Sequence, residues 1–323
     1  MLKNIIYTSY PTTIHSFLKW RNSNPKYNEI YKKIGCLLYD VSLRDGLQGL
    51  NKESQQNYSI LKKIQIYNEI NDNHLPKSIE YGSVVSPRVF PVFQDTIDIF
   101  KYIQQKQQKQ QETNQEKEQQ YHYVFIPNYV NFCKVLQDKY YENFSFISSA
   151  SDQFLLKNIK QDFSQNFEDH KKIKTHCDFL FLSSKRKLYF SCVNECPIYG
   201  KMDNNDVVDK LLQLHALNFD NICLSDTCGT LEVNDFEFIV DKCHKLGINY
   251  GTFSLHLHVK QGRERIIEQI IHSALDRKIV KFDVSILDTG GCSVTIDKER
   301  LASNLSYELF YKSLVNYITK KVD

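Results

Sequence analysis

The stretch DVVDKLLQLHALNFDNICLSD, residues 206–226, decides how the chain reads. Its first thirteen residues put Val207, Val208, Leu211 and Leu214 on one helical stripe, so 206–218 is read as an amphipathic helix. The next seven, FDNICLS at 219–225, form a short apolar run with a strand's composition. A polar residue, Asp226, follows at the strand's end. This unit recurs. Seven more strand-like runs lie at 34–41, 77–81, 123–127, 143–148, 187–193, 249–258 and 280–287. Helical stretches such as RERIIEQIIHSALDRK at 263–278 alternate with them. Eight strands alternating with helices predict an α/β fold, a (β/α)8 TIM barrel. A doubly wound open sheet alternates in the same way, but no GxGxxG follows the first strand.

Chain-wide properties bound the function. A chain of 323 residues, 41% of them hydrophobic, can bury one large core. The net charge of +3, with scattered lysines, gives no nucleic-acid footprint. No apolar run reaches the length of a membrane span. Nine cysteines, an odd number, are read as mostly reduced thiols in an intracellular protein. Residues 1–33 are set apart as an N-terminal extension, and residues 34–323 as the barrel. The extension has Lys3, Lys19, Arg21 and Lys26 but no acid before Glu29. It reads either as a mitochondrial presequence, which would favour the matrix over the cytoplasm, or as a disordered or packed extension; Pro11 interrupts its amphipathic pattern. Within the barrel, QQKQQKQQETNQEKEQQ at 104–120 has nothing apolar to bury, so it is expected to be a solvated insertion or a helix extended into solvent.

Chemistry-bearing residues fall at or just past the strand ends: Arg44 and Asp45, Glu80, Asn128, Ser149, Asp226, His256 and His258, and Cys292. In a TIM barrel that rim is where active sites are built. In HLH at 256–258, residues i and i+2 share a strand face, so both imidazoles converge while Leu257 packs outward. Two imidazoles and a carboxylate make a divalent-metal site. In YDVSLRDGLQ at 39–48, Asp45 offers that carboxylate, and Arg44 offers positive charge for a thioester or enolate oxygen. Taken alone, an Arg-Asp-Gly triplet is more often a surface ion pair in a turn. Glycines 290 and 291 in DTGGC let the backbone present Cys292 from a mobile loop, as a general acid or nucleophile.

Together these segments resemble the DRE-TIM metallolyases, and within them the 3-hydroxy-3-methylglutaryl-CoA (HMG-CoA) lyase branch. The similar segments, in order, are RDGLQ at 44–48, SIEYGSVVSPRVFP at 78–91, IPN at 126–128 and SSASDQFLLKNI at 148–159. SCVNECPIYGK at 191–201, LSDTCGT at 224–230, HLHVKQG at 256–262, GGC at 290–292 and SNL at 303–305 follow. The combination of VSP, CP-x-x-G and GGC points to the CoA lyase branch. The resemblance implies that Asp45, His256, His258 and Asn304 ligate Mg²⁺ or Mn²⁺, with Asn304 placed by allowing three extra residues after Cys292. It implies that Arg44 stabilises an enolate, that Glu80 and Asp226 shape the polar site, and that Asp45 or His256 acts as base. Cys292 would protonate the departing acetyl-CoA carbanion. The implied reaction is retro-Claisen cleavage of HMG-CoA to acetyl-CoA and acetoacetate, with an acyl-CoA substrate and a homodimeric assembly. Two alternatives stay open: a related aldolase or acyl-CoA condensing enzyme, and a non-catalytic CoA-binding relative. Val259 and Asp288 depart from the family pattern, which has an acid and a glycine there. The chain also stops at Asp323, sooner after SNL than the family does, which leads one to expect a shortened CoA site.

Overall fold

The computed structural model describes residues 10–112, 119–138, 142–180, 183–291, 295–296 and 301–322. Eight parallel strands form the barrel: β1 (Leu37–Asp40), β2 (Ser78–Ser83), β3 (Tyr121–Phe125) and β4 (Asn143–Ser149) come first. They are followed by β5 (Arg186–Ser191), β6 (Asn221–Asp226), β7 (Phe253–Val259) and β8 (Lys281–Val284). Neighbours pair in chain order, and β8 pairs with β1 in parallel, Leu37 opposite Lys281, which closes the ring. The expected TIM barrel is the observed fold. Each predicted strand overlaps an observed one. The run 249–258 is shortened at its start, because Tyr250–Thr252 form a 3-10 turn.

The strands alternate in what they face. Along β7, Phe253, Leu255 and Leu257 join the large core between strands and helices. Ser254, His256 and His258, also buried, face the barrel interior. The helices supply the outer half of that core. Helix Asn204–His215 is capped by the Asp203 carboxylate, which accepts the N–H of Asn205 at 2.7 Å, and it buries Val207, Val208, Leu211 and Leu214. Among the described residues, a second and smaller apolar cluster, separate from that core, joins Phe125, Tyr189 and Cys223 with Ile147. The lumen face of β7 is polar, where many barrels stack aliphatic side chains. No helix of the described residues is long and apolar enough to cross a membrane.

Two segments left with alternatives by the sequence have a described structure. The described part of the N-terminal extension is packed. Helices Ile14–Arg21 and Pro25–Ile34 lie against the last helix, Tyr307–Val322. Phe17 is fully buried, with its ring stacked 5.4 Å from that of Tyr311. Its N-cap, Thr13, closes a capping box with Ser16. From Tyr10 onward the segment therefore belongs to the folded body, which does not support the presequence reading. Phe17→Ala is expected to cost about 3–5 kcal/mol in chemical denaturation, as for other buried aromatic truncations; a loss near zero would show that these helices are not part of the cooperative unit.

The polar tract is the second. Its first nine residues continue helix Thr96–Glu112, whose buried stripe runs Ile99, Phe100, Ile103. One turn on, Gln107 shares a hydrogen bond with His122 Nδ1 at 3.2 Å, and Gln120 Nε2 donates to Asn71 Oδ1 at 3.0 Å. Both ends of the tract are thus tied to the barrel, while residues 113–118 lie outside the described residues.

Candidate metal centre and active site

The site is set by the turn after β1. Asp40 ends that strand, and its carboxylate accepts the N–H of Ser42 at 2.8 Å and the Tyr307 hydroxyl at 2.9 Å. Burial pushes the Asp40 carboxyl up to about 7, against the opposing pull of these donors. The Ser42 hydroxyl in turn accepts the N–H of Ile286, just past β8, at 2.9 Å. So anchored, Ser42–Gly46 coils into a single π-helical turn, with Arg44 and Asp45 both 5% exposed and aimed across the mouth. The Arg-Asp pair is therefore no surface ion pair.

Across the mouth stand the two histidines of β7. Asp45 Oδ2 lies 3.4 Å from His258 Nε2 and 3.7 Å from His256 Nε2. One ligand atom from each of the three residues falls within 4.8 Å of the others. The far nitrogen of each ring is held by the protein: His258 Nδ1 meets the Asp226 carbonyl at 2.9 Å, and His256 Nδ1 meets Asp283 Oδ2 at 3.1 Å. Each Nδ1 faces an oxygen acceptor and so carries the proton, which leaves both Nε2 lone pairs directed at Asp45. Burial opposes ionisation of Asp45, but Arg44 and the two imidazoles override it and hold the carboxyl well below its usual range. His258 feels burial too, yet Asp45 and Asp226 raise it, whereas burial wins at His256 and lowers it.

The remaining site residues fall into place around this cluster. Asn304 sits on a short antiparallel segment, Ser303–Asn304, paired opposite His258. Its Nδ2 donates to the Thr289 carbonyl at 3.0 Å, and its buried Oδ1 meets no donor among the described residues. An orphaned carbonyl oxygen beside two imidazole lone pairs and a carboxylate suits a cation. The donor set therefore fits a divalent metal.

Glu80 and Asp226, expected to shape the polar site, both have their oxygens engaged by protein groups. Glu80 is occupied by protein partners: Arg44 Nε, the Ser145 hydroxyl, and the Tyr189 hydroxyl at 2.9 Å. It aims Arg44, whose guanidinium also lies over the Tyr189 ring at 4.6 Å. Burial works against the Arg44 charge, but Glu80 and Asp45 more than offset it and keep the group protonated. The Asp226 carboxylate accepts the N–H groups of Thr230 at 2.9 Å and Leu231 at 3.1 Å, so it pins the loop after β6. Ser149 and Asn128 likewise serve local turns, accepting the N–H groups of Ser151 and Asn131.

Cys292 lies outside the described residues, but the glycines before it are described. Gly291 (φ +88°) donates its N–H to Asp45 Oδ2 at 2.8 Å. Gly290 is pressed against Asn304: an added Cβ would stand 2.6 Å from Asn304 Nδ2, and Gly49 approaches from the other side with equal tightness. The loop thus rests directly on the metal cluster. Gly290→Ala is expected to displace it, lowering stability by about 1–3 kcal/mol through overpacking and lowering turnover with it; an alanine variant with unchanged melting temperature and turnover would show that the loop has slack.

Two residues were missed by sequence reading. Asp283 and Lys187 sit on the interior faces of β8 and β5, linked Nζ to Oδ1 at 2.5 Å. Their signal was present: LysXTyrXSer at 187–191 and LysXAspXSer at 281–285 carry the same inward period of two as the histidines.

Comparison with known proteins extends this picture. No protein-family model matches the chain. The hydroxymethylglutaryl-CoA lyase of Pseudomonas mevalonii is 23% identical over 255 residues, covering 79% of this chain and 77% of that one. The 3-hydroxy-3-isohexenylglutaryl-CoA/hydroxy-methylglutaryl-CoA lyase of Pseudomonas aeruginosa is 24% identical over 259 residues, covering 79% and 77%. Among solved structures, a hydroxymethylglutaryl-CoA lyase from Pseudomonas aeruginosa superposes with a TM-score of 0.71 at 21% identity, covering 88% and 86%. An HMG-CoA lyase from Brucella melitensis gives a TM-score of 0.69 at 19% identity, covering 89% and 91%. The chain thus shares the TIM-barrel fold of these structures, and over most of its length its sequence is similar to hydroxymethylglutaryl-CoA lyases.

Proposed function

We propose that this protein is a divalent-metal-dependent carbon–carbon lyase that cleaves HMG-CoA to acetyl-CoA and acetoacetate. The observation that carries the reading is the convergence of Asp45, His256 and His258 beside Arg44 under the glycine loop, in a chain similar to these lyases. A solved HMG-CoA lyase of similar fold, in complex with coenzyme A and 3-methylmalate, supports an acyl-CoA substrate. Asp45, His256, His258 and Asn304 would hold the cation, Mg²⁺ or Mn²⁺. When bound, it supplies Lewis acidity toward the substrate's oxygens.

The chain's own residues then carry the chemistry. Asp45 accepts the proton of the C3 hydroxyl, because both nitrogens of His256 are committed, Nδ1 to Asp283 and Nε2 toward the cation. The O–H electron pair becomes the new ketone, the C2–C3 bond breaks, and its electrons pass to the thioester as an enolate. Arg44, held by Glu80 and Asp45, places fixed positive charge where that enolate oxygen develops. The Cys292 thiol gives a proton to C2 to form acetyl-CoA, and its thiolate recovers the proton released from the hydroxyl. Glycines 290 and 291 allow the loop to close over the site and exclude water.

A related condensing enzyme would use a similar metal and arginine, so the test must separate the two directions. Condensation of acetyl-CoA with a 2-oxo acid hydrolyses the thioester and releases free coenzyme A, whereas the lyase leaves the thioester intact. The expected result is acetoacetate from HMG-CoA with no thiol released; thiol release from acetyl-CoA plus a 2-oxo acid, without cleavage of HMG-CoA, would assign the protein to the condensing enzymes.

A further inference from the structure

The proposed chemistry leaves a buried ion pair without a task. Lys187 and Asp283 are 4% and 1% exposed, and they bridge the lumen from β5 to β8, two strands that are not neighbours in the ring. Replacing such a pair by apolar side chains is often neutral or favourable for stability, so burial alone gives no reason for its presence. Its geometry does. Asp283 spends Oδ1 on Lys187 Nζ at 2.5 Å and Oδ2 on His256 Nδ1 at 3.1 Å. Lys187 has no freedom to leave: its ammonium lies over the rings of Tyr39 and Tyr189, at 4.8 and 4.5 Å. Tyr189 also donates to Glu80, the residue that aims Arg44. The pair therefore connects the two halves of the site, the histidine side and the arginine side.

We infer that Lys187 and Asp283 are positioning residues that set the metal-binding geometry of His256 from across the barrel. Asp283 holds the imidazole with its N–H on Nδ1 and its lone pair on Nε2, toward Asp45. Lys187 stops the carboxylate from turning away. Without it the ring loses its fixed tautomer and orientation, and the donor set no longer presents two converging imidazoles. Neither residue touches the reacting atoms.

The inference rests on the metal reading above, and Mn²⁺ binding to the apoprotein, followed by electron paramagnetic resonance, tests the two separately. Lys187→Met and Asp283→Asn are expected to weaken Mn²⁺ binding by about 10–100-fold, the usual effect of removing a ligand's hydrogen-bond partner. Lys187→Arg, which keeps the charge, should restore most of the affinity. Folding is checked by circular dichroism, and if Lys187→Met fails to fold, the isosteric Asp283→Asn decides on the same scale. Wild-type affinity in folded Lys187→Met or Asp283→Asn, with Asp45→Asn losing Mn²⁺, would overturn the positioning role and leave the metal site standing. Wild-type protein that binds no Mn²⁺ would overturn both.

Discussion

His256→Ala is expected to lower turnover of HMG-CoA by about 10³-fold or more, while the protein stays folded. The imidazole provides one of two converging lone pairs at the metal site, and its ring is buried and held at Nδ1 by Asp283. Removing it leaves Asp45 and His258 to hold the cation in a distorted shell, and several kcal/mol of charge stabilisation in the transition state go with it. Rigorous chelation of the wild type should have the same effect, reversed by Mg²⁺ or Mn²⁺. The decisive readings are initial rates of acetoacetate formation for the variant and for the chelated wild type. An alanine variant within a few-fold of wild type, or full activity after chelation, would remove the metal from the reaction.

Cys292→Ala is expected to lower turnover by about 10²–10⁴-fold, the range for a positioned general acid. The residue before it, Gly291, donates its N–H to Asp45 in the candidate metal cluster. A proton donated to the carbanion matters only after the carbon–carbon bond begins to break, so substrate affinity should change little. Mn²⁺ affinity should also be unchanged, which separates this variant from His256→Ala. A matching fall in kcat and in metal affinity would indicate a loop with a structural duty and no proton to give. Unchanged turnover would take the thiol out of the mechanism.

The sequence carried much of this fold because each strand has a core-facing side as well as a lumen side. Leu255 and Leu257 mark β7 as buried strand while His256 and His258 mark its lumen face, and both signals are read from one alternation. The barrel's polar interior was harder to see. Asp283 lies within the apolar run VKFDVSIL, and Lys187 looks like an ordinary charged strand start. Only closure of the ring shows that they meet, since β5 and β8 are brought together across the lumen by strand order and not by sequence spacing. The functions of Glu80 and Asp226 were blurred for the same reason. Position at a strand end says that a carboxylate is near the site, but not that its oxygens are already taken by Arg44, or by the N–H groups of Thr230 and Leu231.

For the N-terminal segment the described residues match the packed alternative: Phe17, Trp20, Tyr27 and Tyr31 form an aromatic packing surface. Lys19, Arg21, Lys32 and Lys33 lie in the last turns of its two helices, where they complement the helix C-termini. The first residues of the glutamine-rich tract continue a helix, as one of its two readings has it, because the apolar stripe from Ile99 to Ile103 lies just before it.

The most direct test of the whole account is acetoacetate formation by the purified, chelated protein given HMG-CoA, first without and then with added Mg²⁺. The expected result is no product before addition and stoichiometric acetoacetate and acetyl-CoA after it; no cleavage under either condition, from protein that is folded and binds the cation, would contradict it.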